Sequence, residues 1–501
     1  MIKLLSAISC LLLLHAAGLA QTADRLESLS KGKTPDAIQE LRSFLAIPND
    51  ALNLDDIDKN IVWLENAFGE RGFKTEVLPT GTAPFFFAER KVKNAGKTIL
   101  FYMHFDGQGV DPVKWNQEDP YQAVLKKKAA DQFEPISWEN TKSGIDPDWR
   151  VFARSSSDDK GPIVMFLSAI DIIDSDLENS SLFNIKVILD GSEEKGTRNL
   201  EPFIETHKDK LNADFMIIND GPIHVSERPT LVFGCRGVTG IRLTVYGPKT
   251  SQHSGLFGNY APNPVFRMAH LLSGMKDEEG RVIIPGYYDG IDLDEVQDIL
   301  KSVPDDAEFI NQSIGIASPE KVGGYYQESI QYPSLNVRGM QSAWVGDQAR
   351  TIVPDKAIAE IDIRLVPESD PERLIGLVRE HIKSQGYYII DREPTQEERL
   401  THPRILTLET LTVILPFRTE IDSEIGNWLY ASLGSGMGAE PVRIRIMGGT
   451  VPIAPFIKTL NIPAVTVPLV NQDNNQHAPN ENLRIWNFTN GIQVFLSILT
   501  Q

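Results

Sequence analysis

Cysteine is scarce: the chain has two, Cys10 and Cys235. Cys10 lies in an apolar leader, so the mature chain keeps a single thiol and an internal disulfide is excluded. No nearby motif would activate Cys235, which reads as a small buried hydrophobe. No apolar run reaches the roughly 20 residues of an ordinary membrane span. The run at the N-terminus follows Lys3, passes through Leu11 to Leu14 and closes on Ala16, Ala17, Gly18, Leu19 and Ala20, ahead of Gln21 and Thr22. That order of charge, apolar stretch and small residues predicts a secretory signal, residues 1–20, and export to a periplasm or the exterior. Basic charge is also short. Against 68 Asp and Glu there are 49 Lys and Arg, a formal −19 that becomes −20 once Lys3 leaves with the signal. Without a basic patch, this balance argues against nucleic acid or an anionic membrane as partner. Repeats and low-complexity tracts are absent, and 41% hydrophobic with 23% charged residues is a globular composition.

At 501 residues the length prior is about three domains. Pro35 to Glu70 carries apolar residues at helical spacing, and Lys97 to Phe105 (KTILFYMHF) predicts a buried strand. Helix-like Gly161 to Ile173, strand-like Asn184 to Leu189, helix-like Leu200 to Lys210 and strand-like Asp214 to Ile218 continue the alternation. Such a βα rhythm predicts an α/β sheet covered by helices. Period-two alternation then takes over from Arg236 to Tyr246 and returns at Ala357 to Leu365, predicting a second, mixed sheet. After the charged, proline-containing stretch Asp391 to Pro403, a helix is expected around Ile421 to Ser432 and a strand at Ala464 to Leu469. The expected architecture is a discontinuous catalytic α/β domain, residues 21–236 and 403–501, with a smaller α+β domain inserted at 237–402.

Polar groups cluster where the apolar strands stop, the edge at which open α/β sheets bind ligands. KTILFYMHFD places His104 and Asp106 on one face of a strand exit, as an imidazole with an orienting carboxylate would require. SSSDDKG sets Asp158 and Asp159 before a helix, where simple capping would also explain them. NIKVILD runs into GSEEKG with Glu193 and Glu194; adjacent acids usually mark a solvated helix start, yet at a turn one can hold a metal while the other handles the proton of its water. Asp220 ends another strand, and His477 lies in the loop after the next, where alone it would be an ordinary loop residue. Two histidines and three acidic groups at successive strand exits match an oxygen and nitrogen donor set for two zinc ions.

In this order, HFD, SSSDDKG, GSEEKG, INDGP, GPKTSQHSG, YPSLNV, TIVP, EIDIRLVP, MGGTVPI and NQHAPNE resemble the M20 family of metallopeptidases, in particular its carnosinase-like dipeptidase branch, from about residue 30 onward. The resemblance implies a zinc-exopeptidase-like catalytic domain with an inserted lid domain. It implies that His104, Asp158, Glu194, Asp220 and His477 hold two divalent ions, zinc or else manganese or cobalt, with Asp158 bridging. Glu193 takes the place of the general base, and Asp106 that of the acid orienting His104. Asp159 follows the bridging residue where Asp or Asn is common. The pattern departs from commoner forms in SSSDDKG, which lacks an upstream glycine, and at Asp190 and Ser192 in DGSEEKG.

Within the inserted domain the resemblance assigns His253 to polarising the scissile carbonyl and Arg364 to the substrate's free carboxylate, a role suited to a bidentate guanidinium. By themselves, His253 would read as a surface histidine and Arg364 as a partner of Asp362 or another acid. Gly448, Gly449 and Thr450 are implied to line the substrate pocket, with Thr351 as a further contact, and the inserted domain to support a homodimer. The function expected is that of an exported exopeptidase acting on dipeptides or short peptides. An amidohydrolase of N-acyl amino acids would use the same metals and base; a catalytically silent peptide-binding protein is opposed by the complete ligand set.

Overall fold

The computed structural model describes residues 2–177, 181–451 and 453–501, and for residues 2–21 only the helical backbone. The side chains of residues 1–21, Cys10 included, lie outside the described residues. The chain divides into two units: Met1–Phe233 with Thr419–Arg445 and Pro455–Gln501, and Gly234–Arg418 with Ile446–Ala454. Each has its own apolar core. Among the described residues, no helix is long and apolar enough to cross a membrane.

The first unit is built on an eight-stranded sheet. Its middle four strands, in spatial order Phe183–Asp190, Lys97–His104, Phe215–Ile218 and Ala464–Thr466, are parallel. Continuous apolar sequence is what a parallel strand needs, because helices cover both of its faces; six of the eight residues of Lys97–His104 are buried. The helix Lys160–Ser175 is apolar nearly all round and packs against the helices Ile2–Leu45 and Ile485–Thr500. Where one helix was expected from Pro35 to Glu70, the structure has two, ending at Leu45 and restarting at Leu54. The break is occupied: buried Lys160 sends its Nζ to the carbonyls of Phe44 (3.0 Å) and Ile47 (2.7 Å).

Parallel pairing also aligns the carboxyl ends of these strands. His104 faces Asp190 in the ladder, Tyr102 faces Ile218, and Ile218 faces Thr466, so the loops that follow all leave from one edge. A second, four-stranded antiparallel sheet joins Arg150–Phe152 to Asn482–Arg484. No sequence pattern announced it, and it sets two distant loops side by side at that same edge.

The second unit carries a five-stranded sheet in the order Asn336–Gln341, Lys356–Leu365, Gly237–Tyr246, Ile405–Ile414, Tyr388–Ile390. The two alternating segments do pair, antiparallel along their length. The expected boundary at residue 402 needs correction. Ile405–Ile414 pairs with Gly237–Tyr246, so the unit runs on to Arg418 and also takes in the segment carrying Gly448, Gly449 and Thr450. The charged stretch Asp391 to Pro403 contains a helix, Gln396–Thr401, held by a capping box between Thr395 and Glu398. Cys235 is fully buried and its thiol is pushed up to about 11 by burial, so the small-hydrophobe reading of this residue fits its surroundings.

Candidate metal centre

Five side chains converge at the carboxyl edge of the first unit's sheet, His104 from a strand end and the other four from separate loops and turns. Asp158 is central. Its Oδ1 lies 2.9 Å from His104 Nε2 and its Oδ2 3.1 Å from His477 Nε2, while His477 Nε2 is also 3.1 Å from Glu194 Oε2. The donors form two triplets, His104 with Asp158 and Asp220, and Asp158 with Glu194 and His477, each with its ligand atoms within 4.8 Å of one another. Asp158 belongs to both.

The backbone is shaped to deliver these groups. Asp106 Oδ1 lies 3.4 Å from His104 Nδ1, and its two oxygens accept the N–H groups of Glu193 and Glu194, both at 3.1 Å. One buried carboxylate thus orients the imidazole and pins the turn Glu193–Lys195. That turn follows Gly191, where a Cβ would stand 2.5 Å from the Pro84 carbonyl oxygen and 2.8 Å from the Phe105 ring; only glycine fits. Gln108 donates to Glu194 Oε2 at 2.9 Å. Asp159 points the other way and accepts the His104 N–H at 3.2 Å. His477 has a left-handed φ of +58°, an uncommon conformation for this residue type.

The electrostatics are those of crowded acids. Burial raises the Glu193 carboxyl well above its ordinary value, and the charges of Asp220, Glu194 and Asp106 add to it against the opposing pull of His104. Asp220 is pushed up to about 6, chiefly by burial and then by Asp158. Asp158 moves down, because hydrogen bonds from His104 and His477 outweigh burial. His477 is held up at about 10 by Asp158 and Glu194. Carboxylates that strain toward protonation, beside imidazoles drawn toward the cationic form, fit a site built around positive charge. Mixed His and carboxylate donors gathered in two triplets that share Asp158 suit divalent ions.

Glu481 was not singled out in the sequence, although it stands in NQHAPNE four residues after His477. It is fully buried and accepts from the N–H groups of Ser155, Ser157 and Asp158 at 2.9, 2.9 and 3.0 Å, from the Ser157 hydroxyl at 2.9 Å and from Arg154 Nη1 at 2.7 Å.

The remaining sequence-chosen residues lie in the second unit. His253 is exposed, and its Nδ1 accepts the Gly255 N–H at 3.0 Å, capping a short helix. Thr351 is brought beside it, because Gln252–His253 pairs with Ile352–Val353 and the Thr351 carbonyl accepts the Ser254 N–H at 2.9 Å. Arg364 does not pair with Asp362, whose Oδ1 accepts instead from Asn336 Nδ2 at 2.8 Å. Its Nη1 donates to Thr450 Oγ1 at 2.7 Å. Around Gly448 and Gly449 there is no close approach: an added Cβ would meet nothing nearer than the Tyr326 hydroxyl, 3.7 Å from Gly448.

Fold and donor set together define a metal-dependent peptidase with a catalytic α/β domain and a second α+β domain. Residues 233–388 match the M20 family's peptidase dimerisation domain. The human beta-Ala-His dipeptidase is 26% identical over 490 residues, 95% of this chain and 88% of that protein. A Cys-Gly metallodipeptidase of Schizosaccharomyces pombe is 26% identical over 411 residues, covering 80% and 78%. Among solved structures, an M20 family metallo-carboxypeptidase from Sulfolobus solfataricus superposes with a TM-score of 0.72 at 28% identity, over 93% of this chain and 98% of the other. Human carnosine dipeptidase 1 gives 0.71 at 23% identity, over 95% and 98%. In sequence and in fold the chain resembles the M20 family of metallopeptidases.

Proposed function

We propose that the chain is an exported, two-metal exopeptidase that hydrolyses the amide bond of dipeptides or other short peptides, and that it works as a homodimer through its second unit. The observation that carries this reading is Asp158, shared between two donor triplets with one carboxylate oxygen toward each histidine. The dipeptidase names of the human and fission-yeast relatives support the substrate class. In this reading His104 and Asp220 serve one ion, Glu194 and His477 the other, and Asp158 both. Zinc suits such donors, and manganese or cobalt accepts similar ones. When bound, the ions supply Lewis acidity to the carbonyl and acidify water.

The chain's own groups do the rest. Glu193, whose buried carboxyl is already biased toward holding a proton, takes one from the attacking water and returns it to the leaving amine. Asp106 fixes which nitrogen of His104 faces the cluster. His253 offers Nε2 to the scissile carbonyl, Nδ1 being occupied by Gly255. Arg364 takes the substrate's terminal carboxylate, with Thr450, Gly448, Gly449 and Thr351 as further contacts.

The test is turnover of a panel of dipeptides and N-acyl amino acids by zinc-loaded mature protein, beside Glu193→Gln. The expected outcome is dipeptide cleavage, reduced at least about 100-fold in the variant with metal content unchanged. Cleavage confined to N-acyl substrates would move the chain to the amidohydrolases, and full activity in Glu193→Gln would remove the proposed base. Light scattering reads the dimer. N-terminal sequencing that begins at Gln21 reads the export signal.

A further inference from the structure

Two arginines of the second unit, Arg236 and Arg364, are neighbours through Thr450. Thr450 Oγ1 accepts from Arg364 Nη1 and donates to the Arg236 backbone carbonyl, both at 2.7 Å, so one hydroxyl links the Arg364 guanidinium to the main chain at Arg236. Among the described residues neither makes an ion pair. Arg236 is only 8% exposed. Its Nη2 donates to the Tyr332 carbonyl at 2.8 Å, and its Nε is buried with no acceptor. Burial and then the charge of Arg364 push it down to about 10, which leaves it cationic at neutral pH. A buried charge served by one carbonyl is costly, and a guanidinium with unused donors is shaped for a carboxylate.

Arg236 also lines a cavity of about 230 Å³ with Tyr288, Tyr332, Ser334, Lys276 and Glu320. Lys276 and Glu320 neutralise each other at 2.8 Å, so the charge left over is that of Arg236. The cavity reaches Ser334, whose Oγ accepts the Arg364 N–H at 3.2 Å. It therefore borders the main chain of the residue assigned above to the substrate's terminal carboxylate. The group attached to the same carbon as that carboxylate is the side chain of the C-terminal residue.

We propose that Arg236 is a specificity-determining residue, and that the cavity it lines takes an acidic side chain, so that dipeptides ending in Asp or Glu are preferred. This rests on the dipeptidase reading. The test compares Ala-Glu with its neutral isostere Ala-Gln, in metal-loaded wild type and in Arg236→Met. Wild type is expected to favour Ala-Glu at least about tenfold in kcat/KM, mostly through KM, since a site built to pair a group discriminates against its absence. In Arg236→Met the ratio falls to about one, with the loss falling mainly on Ala-Glu. No acid preference in wild type, or equal losses on both substrates, would overturn the proposal. Arg236→Lys keeps the charge without the fork, and is expected to retain part of the preference should the methionine variant fail to fold. If wild type cleaves no dipeptide, the dipeptidase reading fails by itself. Calorimetric titration with N-acetylglutamate against N-acetylglutamine then reads the subsite: acid-selective binding lost in Arg236→Met upholds it, and equal binding of both overturns it.

Discussion

The Glu481 carboxylate takes three backbone N–H groups, a hydroxyl and Arg154, so a single buried side chain holds the loop that presents Asp158. Removing an acceptor there leaves buried donors unpaired and lets the shared ligand drift. Outer partners of metal ligands typically contribute 10- to 100-fold in affinity. Glu481→Gln, which keeps the shape but turns one oxygen into a donor, is expected to weaken metal binding by roughly that factor. Competition with a chromophoric chelator measures it, and unchanged affinity would mean that the loop holds itself. His104, Asp106, Glu193, Glu194 and Asp220 were legible in the sequence because each ends an apolar run, and the end of a buried strand is visible locally. Glu481 was not, because its partners lie more than 320 residues away and a glutamate after Asn480 carries no local mark of burial.

Three helices over the sheet are tied by one ion network. Arg71, just beyond Leu54–Glu70, reaches Asp171 in Lys160–Ser175 at 2.7 Å and Glu40 in Ile2–Leu45 at 3.0 Å, and Lys33 reaches Asp171 at 2.7 Å. Burial would raise the Asp171 carboxyl, but hydrogen bonds from Arg71 and Lys33 outweigh it and hold the group below its ordinary value. The unfolded chain therefore binds more protons than the folded one in the acid range, and the contribution of Asp171 is complete above the unfolded value and lost as pH falls through the folded one. Asp171→Asn is expected to cost about 1–3 kcal/mol at neutral pH, a gap that closes on acidification; urea unfolding at pH 7 and near pH 3 measures both. A gap that widens in acid would contradict the sign. Helices and buried strands of this kind follow from local periodicity. Ile405–Ile414 was assigned to the wrong unit because nothing in an alternating strand names the sheet that will receive it, and the neighbouring charged segment looked like a boundary.

The two apolar cores share no residue, and every donor of both triplets belongs to the first unit. Metal bound there stabilises the folded form of that unit by mass action, about 4 kcal/mol when free ion exceeds the dissociation constant 1,000-fold. The stabilisation is reinforced by the carboxylates themselves, since burial and mutual repulsion push Asp220 up to about 6 and raise Glu193, a cost that a dication offsets. Chelation is therefore expected to lower the melting transition of the first unit by on the order of 10 °C, while the transition of the second unit, whose sheet is completed by its own strands, stays in place. Differential scanning calorimetry before and after chelator, with zinc added back, separates the two. Restoration by zinc of only the shifted transition ties the loss to the cluster. A joint shift of both transitions would show that the units unfold together, and no shift in either would remove the metal from the first unit's stability altogether.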